Sequence, residues 1–140
     1  MLGLSFKQGT DDTRESPSLR IVDSLLTKNA SLRLHDPKAM PLLKKALPEK
    51  EDRIACCDNP YLAVTGAHAV LVLTDWDEYR RLDWSKMRSA MELPLIVDGR
   101  NLLEPAEMRR LGFEYVSIGR PSGGKNFTAR PIADAVPRNT

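Results

Sequence analysis

Ala69-Val70-Leu71-Val72-Leu73 is the stretch on which the fold of this chain turns. It is apolar throughout, only five residues long, and bounded by Gly66 before it and Thr74-Asp75-Trp76 after it. A run of that kind suits a parallel strand covered by helices on both faces. Reading outward, strand-like and helix-like segments alternate in both directions. Upstream, Met1 to Phe6 reads as a first strand, and Ser16-Pro17 as a helix start with Ser at the cap and Pro at the first turn. Leu19, Val22, Leu25 and Leu26 follow at helical spacing. Ser31 to His35 predicts a second strand closed by Asp36-Pro37, and Met40, Leu43 and Leu47 a short helix ending before Pro48. Ile54 to Cys57 predicts a third strand, and Asn59-Pro60 the start of a helix over Tyr61 to Thr65.

Downstream, the pattern predicts one long helix from Asp77 to Met91, with Tyr79, Leu82 and Met87 turned inward. Leu95 to Val97 reads as a strand ending at Asp98-Gly99-Arg100. Glu104-Pro105 opens a helix with Met108 and Leu111 inward, stopped by Gly112, and Phe113 to Ile118 is the last strand. Repeated β-α units imply an α/β, doubly wound, mainly parallel open sheet of about six strands with helices on both faces. One domain over residues 1–119 is expected. Beyond it, residues 120–140 are rich in Gly, Pro and small polar residues without apolar period, and are expected to be a flexible tail.

Composition narrows the function classes. The net charge of +2 is too small for a basic nucleic-acid stripe, so no nucleic-acid partner is expected. No apolar run approaches a membrane span, and no signal peptide is visible. Cys56 and Cys57 are adjacent and the sole cysteines, without metal or redox spacing, which points to a reducing, cytoplasmic setting and to small apolar packing residues. No metal site is predicted. A strand that starts almost at Met1 suggests a piece of a longer protein.

Ligands of an open α/β sheet bind beyond the carboxyl ends of the strands, where strand order reverses. The residues there are Lys7 to Arg14, Asp36 and Lys38, Asp58, Thr74 to Trp76, and Asp98 to Asn101. Lys7, Arg14 and Arg100 offer cations suited to phosphate. Arg14 reads equally well as the partner of a neighbouring acid, Asp11, Asp12 or Glu15. A dinucleotide-binding loop needs G-x-G-x-x-G after the first strand, yet Gly3 and Gly9 lie apart with Phe6 and Lys7 between them. Asp36 stands where a ribose-binding acid would, although a turn before Pro37 accounts for it equally.

Five blocks, in order, carry a family resemblance. They are Gly3-Leu4-Ser5-Phe6-Lys7 with Thr10-Asp11-Asp12-Thr13-Arg14-Glu15-Ser16-Pro17, then His35-Asp36-Pro37, Gly66-Ala67-His68-Ala69-Val70, Thr74-Asp75-Trp76 and Asp98-Gly99-Arg100. Together they resemble the C-terminal, UDP-binding, Rossmann-like domain of the UDP-glucose and GDP-mannose dehydrogenase family, and Thr-Asp-Trp with Asp-Gly-Arg favours the UDP-glucose branch. The resemblance implies a two-domain, NAD-dependent oxidoreductase. Such enzymes convert the C6 alcohol of UDP-glucose to the acid of UDP-glucuronate in two hydride transfers, through a cysteine-bound intermediate. It implies that Phe6, Lys7 and Arg100 contact the UDP-sugar and that Arg14 reaches NAD across a cleft. NAD itself would be held mainly by an N-terminal domain outside this chain, and the full-length enzyme would be a homo-oligomer. The family's catalytic cysteine sits in a G-F-G-G-S-C-type segment that these residues lack. Cys56 and Cys57 do not match it, so no catalytic residue is assigned and the chain alone is expected to turn nothing over.

Two other readings keep the same core. One is a non-catalytic binding or assembly module. The other is a phosphoacceptor receiver domain, with Asp11-Asp12, Asp58, Thr74 and Arg100 in place of the lysine such domains use.

Overall fold

The computed structural model describes residues 1–14, 16–47 and 52–118. The expected tail at 120–140 lies outside them. In chain order the elements are α1 (Ser18–Thr27), β1 (Leu32–Leu34), α2 (Met40–Ala46), β2 (Ile54–Cys56), α3 (Pro60–Val64) and β3 (Val70–Val72). Then come α4 (Asp77–Arg80), α5 (Trp84–Ala90), β4 (Leu95–Asp98), α6 (Pro105–Arg110) and β5 (Glu114–Ser117).

All strand pairs are parallel: β1 with β2, β3 with β4, and β4 with β5. The first expected strand, Met1 to Phe6, is reduced to a single bridging residue. Leu2 forms parallel bridges to His35 on one side and to Val72 on the other, and so joins a two-stranded sheet to a three-stranded one. Four backbone bonds make the join: Leu2 to Leu71, Leu73 to Leu2, Gly3 to His35 and His35 to Met1, at 2.8–3.0 Å. The spatial order is β2, β1, the Leu2 segment, β3, β4, β5. With the Leu2 segment counted as strand one, this is the 3-2-1-4-5-6 order of a doubly wound dinucleotide-type sheet.

Gly3 explains the shortened strand. Residues i and i+2 of a regular strand share a face, yet Leu2 and Leu4 belong to different core clusters. Gly3 has φ +90°, which breaks the strand alternation between them. A Cβ at Gly3 would lie 2.5 Å from Thr74 Cβ. Only glycine lets the first segment pass this close to the end of β3.

The sheet is covered on both faces. One cluster packs Leu2, Val70, Val72 and Ile96 with Val64, Tyr79, Trp84, Met87 and Met108. The other packs Leu4, Leu32 and Leu34 with Val22, Met40 and Leu43. Arg33 and Arg53 cover helix ends: Arg33 donates to the carbonyls of Leu62, within α3, and of Thr65, just after it, and Arg53 to Leu26 O of α1 at 2.8 Å. Cations there add to the backbone bonds at the negative ends of the two helices.

The helix expected from Asp77 to Met91 is two helices. The Asp83 side chain accepts a hydrogen bond from Lys86 N at 3.0 Å and caps α5. A short acid that bonds the backbone three residues on starts a new helix more readily than it continues an old one. Tyr79 and Met87 are buried as expected, and Leu82 packs partly buried against the same cluster.

Candidate functional site

The strand order reverses at the Leu2 segment, which sends the chain to β1 on one side and has β3 on the other. The loops beyond these carboxyl ends are tied together by one buried carboxylate. Asp36 is 2% exposed. Its Oδ2 accepts hydrogen bonds from Leu4 N at 2.8 Å, Ser5 N at 2.9 Å, Ser5 Oγ at 3.0 Å and Trp76 Nε1 at 3.3 Å. Its Oδ1 accepts from Lys38 N and Ala39 N at 2.9 and 2.8 Å. Burial would push its pKa up, but the backbone N–H groups of Leu4, Ser5, Lys38 and Ala39 outweigh it and hold the carboxyl below its ordinary value. The turn reading of Asp36 is therefore correct, and the residue also spans three loops. It is turned inward with both oxygens in use, so it presents no acceptor to a ribose.

Ser5 is fixed from the other side as well. Thr74 Oγ1 donates to Ser5 O at 2.7 Å, and Trp76 Nε1 also reaches Ser5 Oγ at 3.3 Å. Trp76 is a packing residue of the larger core cluster, with its one polar side-chain atom aimed into this network. A second buried carboxylate organises the next loop. Asp98 accepts from Arg100 N at 3.0 Å, Leu103 N at 2.9 Å and Tyr115 Oη at 2.7 Å.

The cations face outward from this frame. Phe6 is 46% exposed and its N donates to Asp12 O at 2.7 Å. Lys7 is exposed, and among the described residues it has no ion-pair partner. Arg100 meets Asp75 at 3.4 Å, with its side chain 40% exposed. Asp75 adjoins Thr74, which holds Ser5, so Arg100 and the Phe6-Lys7 pair are linked through one short chain of contacts. Arg14 makes a two-point contact with Asp12, Nε to Oδ1 at 3.1 Å and Nη2 to Oδ2 at 3.0 Å. The bonds from the Arg14 side chain and backbone lower the Asp12 pKa to about 2. Of the two readings open for Arg14, the local ion pair is the one seen in this conformation.

Sequence reading missed the framework rather than the edge. Nothing in the pattern singled out Ser5, and Asp75 was placed at the edge without its pairing to Arg100. The spacing Asp36-Pro37-Lys38-Ala39 was the available signal, because an acid two and three residues before backbone N–H groups forms such turns.

The residues do not fit a dinucleotide of their own. The space above Gly3 is filled by Thr74, and the second-strand acid is committed inward. Among the described residues no three His, Cys, Asp or Glu side chains gather as a metal site, and no helix is long and apolar enough to cross a membrane. Asp58 is exposed and pairs with Lys44 at 3.6 Å, while Asp12 is engaged by Arg14. The receiver reading also conflicts with the strand order, since that fold runs 2-1-3-4-5. Cys56 and Cys57 are half-buried free thiols on β2 and just after it, packed against opposite core clusters, as expected of packing residues. Burial pushes the Cys56 thiol above its ordinary pKa, with the nearby Lys44 ammonium opposing it.

Comparison with known proteins agrees with this geometry. Residues 1–105 match the model of the UDP-glucose/GDP-mannose dehydrogenase family, UDP binding domain. The chain is 46% identical over 127 residues to the UDP-glucose 6-dehydrogenase of Pseudomonas aeruginosa, covering 87% of this chain and 27% of that protein. It is 39% identical over 121 residues to the Rhizobium meliloti UDP-glucose 6-dehydrogenase, covering 86% and 27%. Among solved structures it superposes on an NDP-N-acetyl-D-galactosaminuronic acid dehydrogenase from Methanosarcina mazei with TM-score 0.71 at 38% identity, covering 87% of this chain and 24% of that one. A UDP-glucose dehydrogenase from Pyrobaculum islandicum gives TM-score 0.63 at 29% identity, covering 82% and 23%. The chain thus spans about a quarter of the length of these relatives. Sheet order, edge framework and these matches together place the chain in the UDP-glucose/GDP-mannose dehydrogenase family, as its C-terminal, UDP-binding domain.

Proposed function

We propose that this domain holds the UDP moiety of a sugar nucleotide at the carboxyl edge of its sheet, with Phe6, Lys7 and Arg100 as the contacts. The observation that carries the reading is Lys7, an exposed cation without an ion-pair partner among the described residues. It sits on a loop whose preceding backbone is held by Asp36 and Thr74. A solvated ammonium on a fixed loop is ready to neutralise a diphosphate. Phe6 offers a half-exposed ring and backbone, and Arg100 offers a planar fork that would exchange Asp75 for a phosphate oxygen.

In the whole protein, the activity proposed is NAD-dependent oxidation of UDP-glucose to UDP-glucuronate. NAD would be bound mainly by an N-terminal domain in a homo-oligomeric cytoplasmic enzyme. Arg14 would then leave Asp12 to meet the cofactor across the cleft. The alternative of a non-catalytic module predicts the same binding without turnover.

Calorimetric titration of UDP tests the site. Lys7→Ala should cost roughly 1.5–3 kcal/mol of binding, the worth of a hydrogen bond to a charged group. Arg100→Lys should also weaken binding, since an ammonium does not reproduce the fork. Equal affinity in wild type and both variants would remove these residues from the site.

A further inference from the structure

The buried network beneath the loop has a consequence for ligand binding. Backbone N–H groups of Leu4 and Ser5 end on Asp36 Oδ2, the Ser5 carbonyl takes the Thr74 hydroxyl, and the Ser5 hydroxyl lies between Asp36 and the Trp76 indole. Every polar group of Ser5 is thus used, and Ser5 is the residue immediately before Phe6-Lys7. The hub is contributed by three separate strand ends, those of the Leu2 segment, β1 and β3, so it forms only when the two small sheets are joined. Trp76 is 8% exposed and shares its single N–H between the Ser5 hydroxyl and the Asp36 carboxylate at equal distances of 3.3 Å. Its ring is fixed by the larger core cluster. The N–H therefore transmits the position of the β3 side of the sheet to the loop.

Resting on the function proposed above, we infer that Trp76, Asp36 and Ser5 form a positioning clamp that sets the reach of Lys7 toward the diphosphate. A loop held in the bound arrangement before the ligand arrives loses less conformational entropy on binding. The clamp acts through Lys7 and touches no ligand itself. Buried bonds of this kind also stabilise the fold, so loss of stability alone does not separate positioning from packing. Coupling to Lys7 does separate them.

The test is a double-mutant cycle on the full chain, with UDP as the probe and amide shifts as the readout. Trp76→Phe keeps an aromatic ring and deletes the N–H. It should weaken UDP roughly fivefold in the wild-type background, the worth of one hydrogen bond. In the Lys7→Ala background the same change should cost less than about twofold, because the group being positioned is gone. Ser5→Ala, which removes the hydroxyl between the other two members, should give the same pattern and serves if Trp76→Phe does not fold. Equal losses in both backgrounds, or no loss in wild type, would overturn the clamp while leaving Lys7 in the site. If Lys7→Ala alone leaves UDP affinity unchanged, the nucleotide site itself is misplaced and the clamp falls with it.

Discussion

Two sets of charges occupy the same edge of the sheet and behave in opposite ways. Asp36 and Asp98 are buried and accept six and three hydrogen bonds, most from backbone N–H groups. Lys7, Arg14 and Arg100 point outward, with Arg14 and Arg100 resting on the exposed or half-exposed carboxylates of Asp12 and Asp75. The two sets are close in sequence: Asp98 and Arg100 are two residues apart, and Asp98 fixes the backbone N–H of Arg100. The acids hold the loops and the cations are left to meet a ligand. Buried acids should therefore control stability, and exposed cations should control binding.

Gly3 offers the most severe test of the framework side. Gly3→Val would force a β-branched residue to φ +90° with its Cβ against Thr74. It should destabilise by about 4 kcal/mol or more, read as loss of the cooperative melting transition. Asp36→Ala leaves several buried N–H groups without an acceptor and should cost about 3 kcal/mol in chemical denaturation. Asp98→Ala, with fewer donors stranded, should cost about 2 kcal/mol. If either acid proved neutral to stability, the division between framework and ligand charges would fail.

On the cation side, Lys7→Ala and Arg14→Ala should change stability by no more than about 0.5 kcal/mol. The Arg14–Asp12 pair is exposed, and such pairs contribute little. In the whole enzyme Arg14→Ala should raise KM for NAD more than KM for the sugar nucleotide. The opposite pattern would undo the cofactor role.

The smallest expected effect is a pH dependence. His35 is buried, with Nδ1 3.0 Å from Tyr79 Oη, which donates in turn to His35 O at 3.1 Å. Burial is the largest influence and lowers the His35 pKa, Asp36 opposes it, and the net direction is downward. The unfolded imidazole takes up a proton near pH 6.5 while the folded one resists it, so the His35 share of stability should be lost as pH drops below about 6.5, on top of the loss from the Met1 amine, whose pKa burial lowers from 8.0 to about 5. His35→Gln should flatten that slope, measured by denaturation between pH 5 and 8.

The alternation of elements was legible because a parallel sheet buried on both faces leaves short apolar strands such as Ala69 to Leu73 between helices with turn signals. The edge positions were legible for the same reason, since they follow strand ends. What pattern reading lost was tertiary. Gly3 ends the first strand through a close approach to Thr74, seventy-one positions along the chain, and no local period carries that. Asp83 splits a helix whose apolar spacing alone runs on to Met91. The inward turn of Asp36 depends on donors from Leu4, Ser5 and Trp76, which the fold brings to it from both directions.

The location of the nucleotide tests the account most directly. Two open clefts offer rival locations: one of ≈ 550 Å³ beside the Asp36 hub, lined by His35, Asp36, Met40, Lys44, Asp58 and Glu78, and one of ≈ 380 Å³ between α5 and α6 lined by Trp84, Leu103 and Met108. UDP titrated into the isotope-labelled full chain should shift the amides of Phe6, Lys7, Asp75 and Arg100 in one saturable process. Shifts confined to either cleft, with Phe6 and Lys7 unmoved, would contradict it.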